Sequence, residues 1–552
     1  MLQKVHRGKQ GRRLAKKKKR EQERLKREGK RKAKARERRI AHQLEVYESL
    51  RKRRGRTVFL RKALNAIMLE CVSWIEYKRP GHDFLGRYSL HFEPWTKQGK
   101  VHQEKELPIV LCAMEAFAYA TKITASGVLF CKGTKALLGR AIGAQTHLVE
   151  LDLTDCLLEA AACEQILRCM HDGSCISLRM LRLAGNRIAR GQYSGTDRAG
   201  HPVYEANTTA MRALSRLLGK MSRQNHGGLT RLDLANNWGR GRAIMYLAFP
   251  VHSKLVVLNL NGNIMGLKGA LTLAESLRSC ECVQELGLGH NDIGDDGLLA
   301  LSDALGTLER LKLLDLSRNK LGPRGGFTLG NIIKSNASIQ ELFVSGNSCD
   351  AWGCRCIFDA LQFHDTVACI DVSHMSIVAG SEPGERSLEA VSSLTDHMAS
   401  SRVLREIKMA ETHIAIMPKH APVNPHLEAR VAYQAVSMIT DAATQSPAIR
   451  FIDLTGNNIG GALGLYPRGR HLVKRLLALG DAVPLPGYKQ RTVAKVCRVM
   501  YERVRSGSEL SKEQMKVEMG RLATSLDIIL EFAADPRLVL IGDARLGEAE
   551  LL

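Results

Sequence analysis

Cysteine and histidine are the residues best equipped to ligate a metal or attack a substrate. The chain of 552 residues contains 14 Cys and 18 His. Cys280 and Cys282, with Cys349, Cys354 and Cys356, form the densest thiol group. A structural zinc site needs four thiolates or imidazoles converging on one point. These five fall at different places in their repeat units, so they do not stack into one cluster. They read as thiols in helix turns. His290 and His374 occupy equivalent places three units apart, too far to share an ion, and read as surface residues. No phosphate-binding G-x-x-x-x-G-K-S/T occurs, no G-x-G-x-x-G after a strand, no H-E-x-x-H and no G-x-S-x-G. No catalytic residue, metal, cofactor or small-molecule substrate is therefore expected.

The elements that would position any site come from an internal repeat. The frame L-x-x-L-x-L-x-x-N recurs ten times. Its clearest copies begin at Leu255, Val283, Leu311, Ile339 and Val367, four successive spacings of 28 residues. Upstream copies begin at Leu148, Leu178 and Leu229, downstream copies at Leu404 and Ile449, and a degenerate eleventh at Ala120. The fourth conserved place carries Asn186, Asn237, Asn263, Asn291, Asn319, Asn347 and Asn457, with Cys156 and Met375 as departures. Apolar residues alternate through the first half of each unit. They then switch to helical spacing, as in Leu298, Leu301, Ala304 and Leu305. Each unit therefore reads as strand, turn, helix. None can bury its apolar face alone, so the units must stack. A single compact core at this length is excluded, since such cores stop growing near ~250–300 residues.

The repeat resembles the leucine-rich repeat family, and within it the ribonuclease-inhibitor type with long helical units. The resemblance covers about residues 107–466. It implies an α/β solenoid, a horseshoe with parallel strands on the concave face and helices on the convex face. It also implies a protein-binding role with varied partners. Some members of that type activate a small GTPase. Those carry a strongly acidic C-terminal tail, whereas this chain ends mildly with Glu548 and Glu550.

Strand alternation predicts which side chains the concave face exposes. One column reads Glu150, Met180, Arg231, Val257, Glu285, Leu313, Glu341, Cys369, Glu406 and Phe451. The other reads Asp152, Arg182, Asp233, Asn259, Gly287, Asp315, Phe343, Asp371, Lys408 and Asp453. Nine acids and three bases give this face a balance of −6. A basic protein surface is the expected partner, with Val257, Leu313, Phe343 and Phe451 as apolar anchors. An alternative is that the Asp column only caps local backbone. Three insertions, at 188–209, around Gly380 to Glu385 and around Met417 to Pro425, are expected as loops on one rim. The first supplies Tyr193, His201 and Tyr204 as rim candidates.

The net charge of +26 is concentrated at one end. Residues 1–62 hold 27 Lys or Arg and six Glu, a balance of +21. Residues 1–56 read as a basic arm, partly helical or without fixed structure. Lys16, Lys17, Lys18, Lys19 and Arg20, with Arg51, Lys52, Arg53 and Arg54, read as import signals or polyanion contacts. Residues 57–106 are expected as an N-terminal helical cap, over 57–78, and a loop. Residues 467–552 are expected as a C-terminal helical cap or module. Its last helix, 511–533, presents Leu522, Leu526, Ile529 and Leu530 on one face.

The expected function is a non-catalytic scaffold that holds a basic protein while the arm contacts RNA or another polyanion. Alternatives are a cytoskeletal or ciliary adaptor contacting tubulin, and a GTPase activator. No run of ~18 apolar residues occurs, so no transmembrane helix is expected. No signal-peptide pattern opens the chain, which points to an intracellular thiol-keeping compartment. The nucleus or nucleolus and the cytoplasm or cytoskeleton are the candidate homes. A Lys-rich, Ser-free start speaks against a mitochondrial presequence.

Overall fold

The computed structural model describes residues 72–77 and 88–92, most of 107–457, and Leu472. The basic clusters of the arm, His201, the insertions near Gly380 and Met417, and the C-terminal helices lie outside the described residues. Contacts divide the chain into two units. One is Met1–Leu151 with Cys169–Cys175, and the other is Asp152–Arg168 with Ile176–Leu552.

All eleven repeat strands are present where the frame places them. They are β3 (Ala120–Thr124), β4 (Glu150–Asp152), β5 (Met180–Arg182), β8 (Arg231–Asp233), β9 (Val257–Asn259), β10 (Glu285–Gly287), β11 (Leu313–Asp315), β12 (Glu341–Phe343), β13 (Cys369–Asp371), β14 (Glu406–Lys408) and β15 (Phe451–Asp453). In the second unit, β5, β8 and then β9 to β15 pair in that order, every pair parallel. Register aligns Leu232, Leu258, Leu286, Leu314, Leu342, Ile370, Ile407 and Ile452, all buried. Helices follow the strands, among them Gly266–Leu277, Gly294–Gly306, Pro323–Ser335, Ala351–Leu361 and Glu389–Ser400, each packed on the next. This is an open parallel sheet backed by helices, a repeat solenoid.

The Asn of the frame closes the bend after each strand. Asn237, Asn263, Asn291, Asn319 and Asn347 are all buried. The backbone N–H of each of the first four donates to Oδ1 of the next, at 3.1, 3.0, 3.0 and 2.8 Å. Their Nδ2 groups donate to carbonyls of their own and the preceding unit, such as Asn319 to Leu288 at 2.8 Å. These bonds give buried backbone N–H and C=O groups of the bends their partners. At the Leu404 copy, Thr412 takes the place of Asn. Its hydroxyl donates to the Met409 carbonyl at 2.9 Å.

A second polar ladder, not foreseen from the sequence, closes the other bend. Asn336 Nδ2 donates to the carbonyls of Leu305 and Leu308, at 2.7 and 3.1 Å. His364 Nε2 lies 2.7 Å from the Asn336 carbonyl. Ser338 and Thr366 hydroxyls bridge carbonyls of the unit before. Different residue types fill equivalent places here, which hides the pattern from a one-letter reading.

Two sequence expectations are corrected. The helix over 57–78 contains a strand, β1 (Val72–Tyr77), and the loop over 79–106 contains another, β2 (Tyr88–Phe92). β1 pairs antiparallel with β2, and β2 runs parallel to β3. The described part of the N-terminal cap is thus β rather than helical. Val72, Trp74, Ile75 and Tyr77 are strong strand formers, and a neighbouring edge to pair with decides the outcome. The first insertion is likewise no plain loop. Its strands β6 (Arg190–Thr196) and β7 (Pro202–Ala206) form an antiparallel ribbon.

Candidate protein-binding face

The face of the second unit's sheet is built by the outer two residues of each three-residue strand. Their middle residue is buried, while Arg231, Asp233, Val257, Glu285, Leu313, Asp315, Phe343, Asp371, Glu406, Lys408, Phe451 and Asp453 are half-buried and Glu341 is exposed. Arg182 and Asp152 are half-buried too. Cys369 departs from the expected exposure and is buried. In the first unit, Glu150 faces out and meets Lys122 Nζ at 2.7 Å.

Register fixes the neighbours. Glu285, Leu313, Glu341 and Cys369 stand side by side, as do Gly287, Asp315, Phe343 and Asp371. Adjacent strands lie ~4.8 Å apart. Leu313 is therefore flanked by two glutamates, and Phe343 by two aspartates. This block is apolar at its centre and acidic around it.

The three bases of the face are each held by an acid of the same face. Arg182 meets Asp152 at 3.3 Å, Arg231 meets Glu285 at 3.5 Å, and Lys408 meets Glu406 at 3.2 Å. Lys408 Nζ also stands 5.7 Å from the Phe343 ring centre. Burial pulls the Lys408 ammonium down, but the bond to Glu406 and the charges of Glu406 and Asp371 outweigh it and hold its pKa above the usual value.

The Asp column has a local task. Asp152, Asp233, Asp315 and Asp371 each accept, through Oδ1, the backbone N–H two residues on, at 2.9–3.1 Å. Asp315 Oδ2 also takes Asn261 Nδ2 at 2.9 Å. Burial raises the Asp233 pKa, against the N–H of Ala235 and the charge of Arg182. The Glu column makes no such backbone bonds among the described residues. Glu150, Glu285 and Glu406 are instead paired with Lys122, Arg231 and Lys408, and Glu341 is exposed.

Tyr193 and Tyr204 are register partners across the ribbon. His290 and His374 are exposed, with left-handed backbone at φ 55° and 58°, in the bend just before the frame's Asn place. His374 Nδ1 lies 3.1 Å from Glu411. Burial pushes the thiols of Cys280 and Cys349 up to about 12, and that of Cys354 well above its usual value. Such thiols are poor ligands and poor nucleophiles at neutral pH. Among the described residues, no group of three or more His, Cys, Asp or Glu is placed to hold a metal. No described helix is long and apolar enough to cross a membrane.

Residues 279–302 and 310–330 match a family model described as leucine rich repeat. The chain carries leucine-rich repeats. Such repeats mark a protein-binding scaffold. A search of curated proteins finds no match. Among solved structures, an internalin of Listeria monocytogenes is similar at 12% identity and TM-score 0.32, over 66% of this chain and 86% of the other. The Rad7 and Elc1 complex of yeast is similar at 16% identity and TM-score 0.35, over 63% and 73%. The tropomodulin C-terminal domain of Caenorhabditis elegans is similar at 8% identity and TM-score 0.25, over 32% and 92%.

Proposed function

We propose that this chain is a non-catalytic scaffold of the long-unit, ribonuclease-inhibitor-like type whose leucine-rich repeat face holds a basic segment of a protein partner. The observation that carries the reading is the block on β10 to β13. Leu313 and Phe343 supply apolar contact, and Glu285, Asp315, Glu341 and Asp371 surround them with negative charge. Exposed ion pairs contribute little each, ~0.2–1 kcal/mol. Affinity therefore rests on the apolar pair, and the carboxylates select the sign of the partner. The charge of +21 on residues 1–62 supports a separate contact with a polyanion such as RNA.

The test is fluorescence anisotropy of full-length protein against labelled peptides, one set rich in Lys and Arg and one rich in Asp and Glu. Basic peptides are expected to bind, more weakly as salt rises. Phe343→Ala should weaken binding about tenfold, equivalent to ~1.4 kcal/mol, and Glu341→Lys by a similar factor. Equal binding of acidic peptides, or unchanged affinity in both variants, would refute the reading.

A further inference from the structure

Leu271, Leu299 and Phe327 occupy the same place in three successive helices, each 28 residues after the last. Each is large and apolar, and 51%, 56% and 50% exposed. Trp352, 47% exposed, extends the row onto the next helix. Its ring stacks on that of Phe327, with centroids 6.0 Å apart and planes 10° from parallel. The row lies on the helical layer and shares no residue with the sheet face. A solvent-facing side of an amphipathic helix is ordinarily polar, and a contiguous apolar row of this kind marks a contact surface. Neighbouring helix axes pack ~10 Å apart, so four helices carry the row across about 30 Å.

One segment of the same chain has a matching face. In 511–533, Met515, Met519, Leu522, Leu526, Ile529 and Leu530 recur at helical spacing. As a helix these 23 residues would run about 34 Å, the length of the row. Between buried Leu472 and Ser511 stand 38 residues. At ~3.3 Å per residue these reach more than 100 Å. A tethered segment sits near its target at millimolar effective concentration, which favours it over a second copy at micromolar concentration.

We propose that residues 511–533 pack as an amphipathic helix across Leu271, Leu299, Phe327 and Trp352, and thereby shield the outer side of the helical layer. The test replaces Phe327 of the full-length chain with photoreactive benzoylphenylalanine, mixes heavy-isotope and ordinary chains, and maps cross-links by mass spectrometry. Cross-links within one chain to residues 511–533 are expected. Links between heavy and ordinary chains, links elsewhere, or none would overturn the proposal. Leu522→Glu with Leu526→Glu in the same full-length chain should abolish the cross-link and raise the emission of a hydrophobic dye several-fold. Cooperative unfolding of the repeats should persist. An unchanged cross-link and unchanged dye emission would overturn it as well.

Discussion

His397 is 3% exposed, and its Nε2 meets no hydrogen-bond partner among the described residues. Burial lowers its pKa to about 4, helped by His364, while Asp365 acts the other way. A histidine held neutral in the fold and free to charge when unfolded, near its ordinary 6.5, stabilises the fold fully above pH 6.5. That stability is lost as pH falls toward 4, by up to about 3 kcal/mol. His397→Leu should flatten the pH dependence of the urea midpoint between pH 6.5 and 4.5, relative to the unaltered chain. Carboxylate protonation adds its own slope in both proteins, so the difference between them is the measure. An identical slope would show that His397 is not the group responsible. The face teaches a second lesson at this scale. Asp and Glu stand in adjacent columns and look alike in the sequence. Asp is short enough to reach the backbone two residues on, while Glu extends past it toward solvent. The Asp column therefore caps local backbone, while Glu150, Glu285 and Glu406 pair with bases.

At the level of elements, helix-to-helix packing is unusually close in the middle of the array. A Cβ added at Gly326 would lie 2.6 Å from Gly353 Cα, and one at Gly330 would lie 2.6 Å from the Cys356 carbonyl oxygen. Backbone rather than a flexible side chain blocks both positions. Gly326→Ala gains helix propensity of ~1 kcal/mol but forces the helices Pro323–Ser335 and Ala351–Leu361 apart, an overpacking cost of ~1–3 kcal/mol. A net loss of up to about 2 kcal/mol in urea unfolding is expected. Gly133→Ala, where the new Cβ meets nothing within 4 Å, should be neutral or slightly stabilising. Equal effects of the two would refute the packing argument. The glycines of these helices are visible in the repeat, but their purpose is not. Distances between backbones are set by two helices at once.

At the scale of the whole molecule, charge separates along the chain. Residues 1–62 carry +21 and the repeat face −6, within a net charge of +26. Deleting residues 1–62 should sharply reduce retention on heparin and flatten its dependence on salt, since released counterions scale with the number of neutralised phosphates or sulfates. The urea midpoint of the repeats should stay within about 0.5 kcal/mol of its value in the full chain, as an arm that only binds polyanions adds nothing to the core. Unchanged retention would assign the polyanion contact to the repeat body instead. The sequence by itself determined the repeat, its eleven strands, the buried Asn ladder and the acidic columns. Each follows from residues that recur at one spacing, and recurrence needs no knowledge of neighbours. Tertiary structure alone decided four things: that Val72–Tyr77 pairs as a strand, that Asn336, His364 and Thr366 form a second ladder, that Cys369 is buried, and that Phe327 stacks on Trp352. In each case the outcome depends on which partner another segment brings within reach, and that is a property of the packed units rather than of any one stretch of chain.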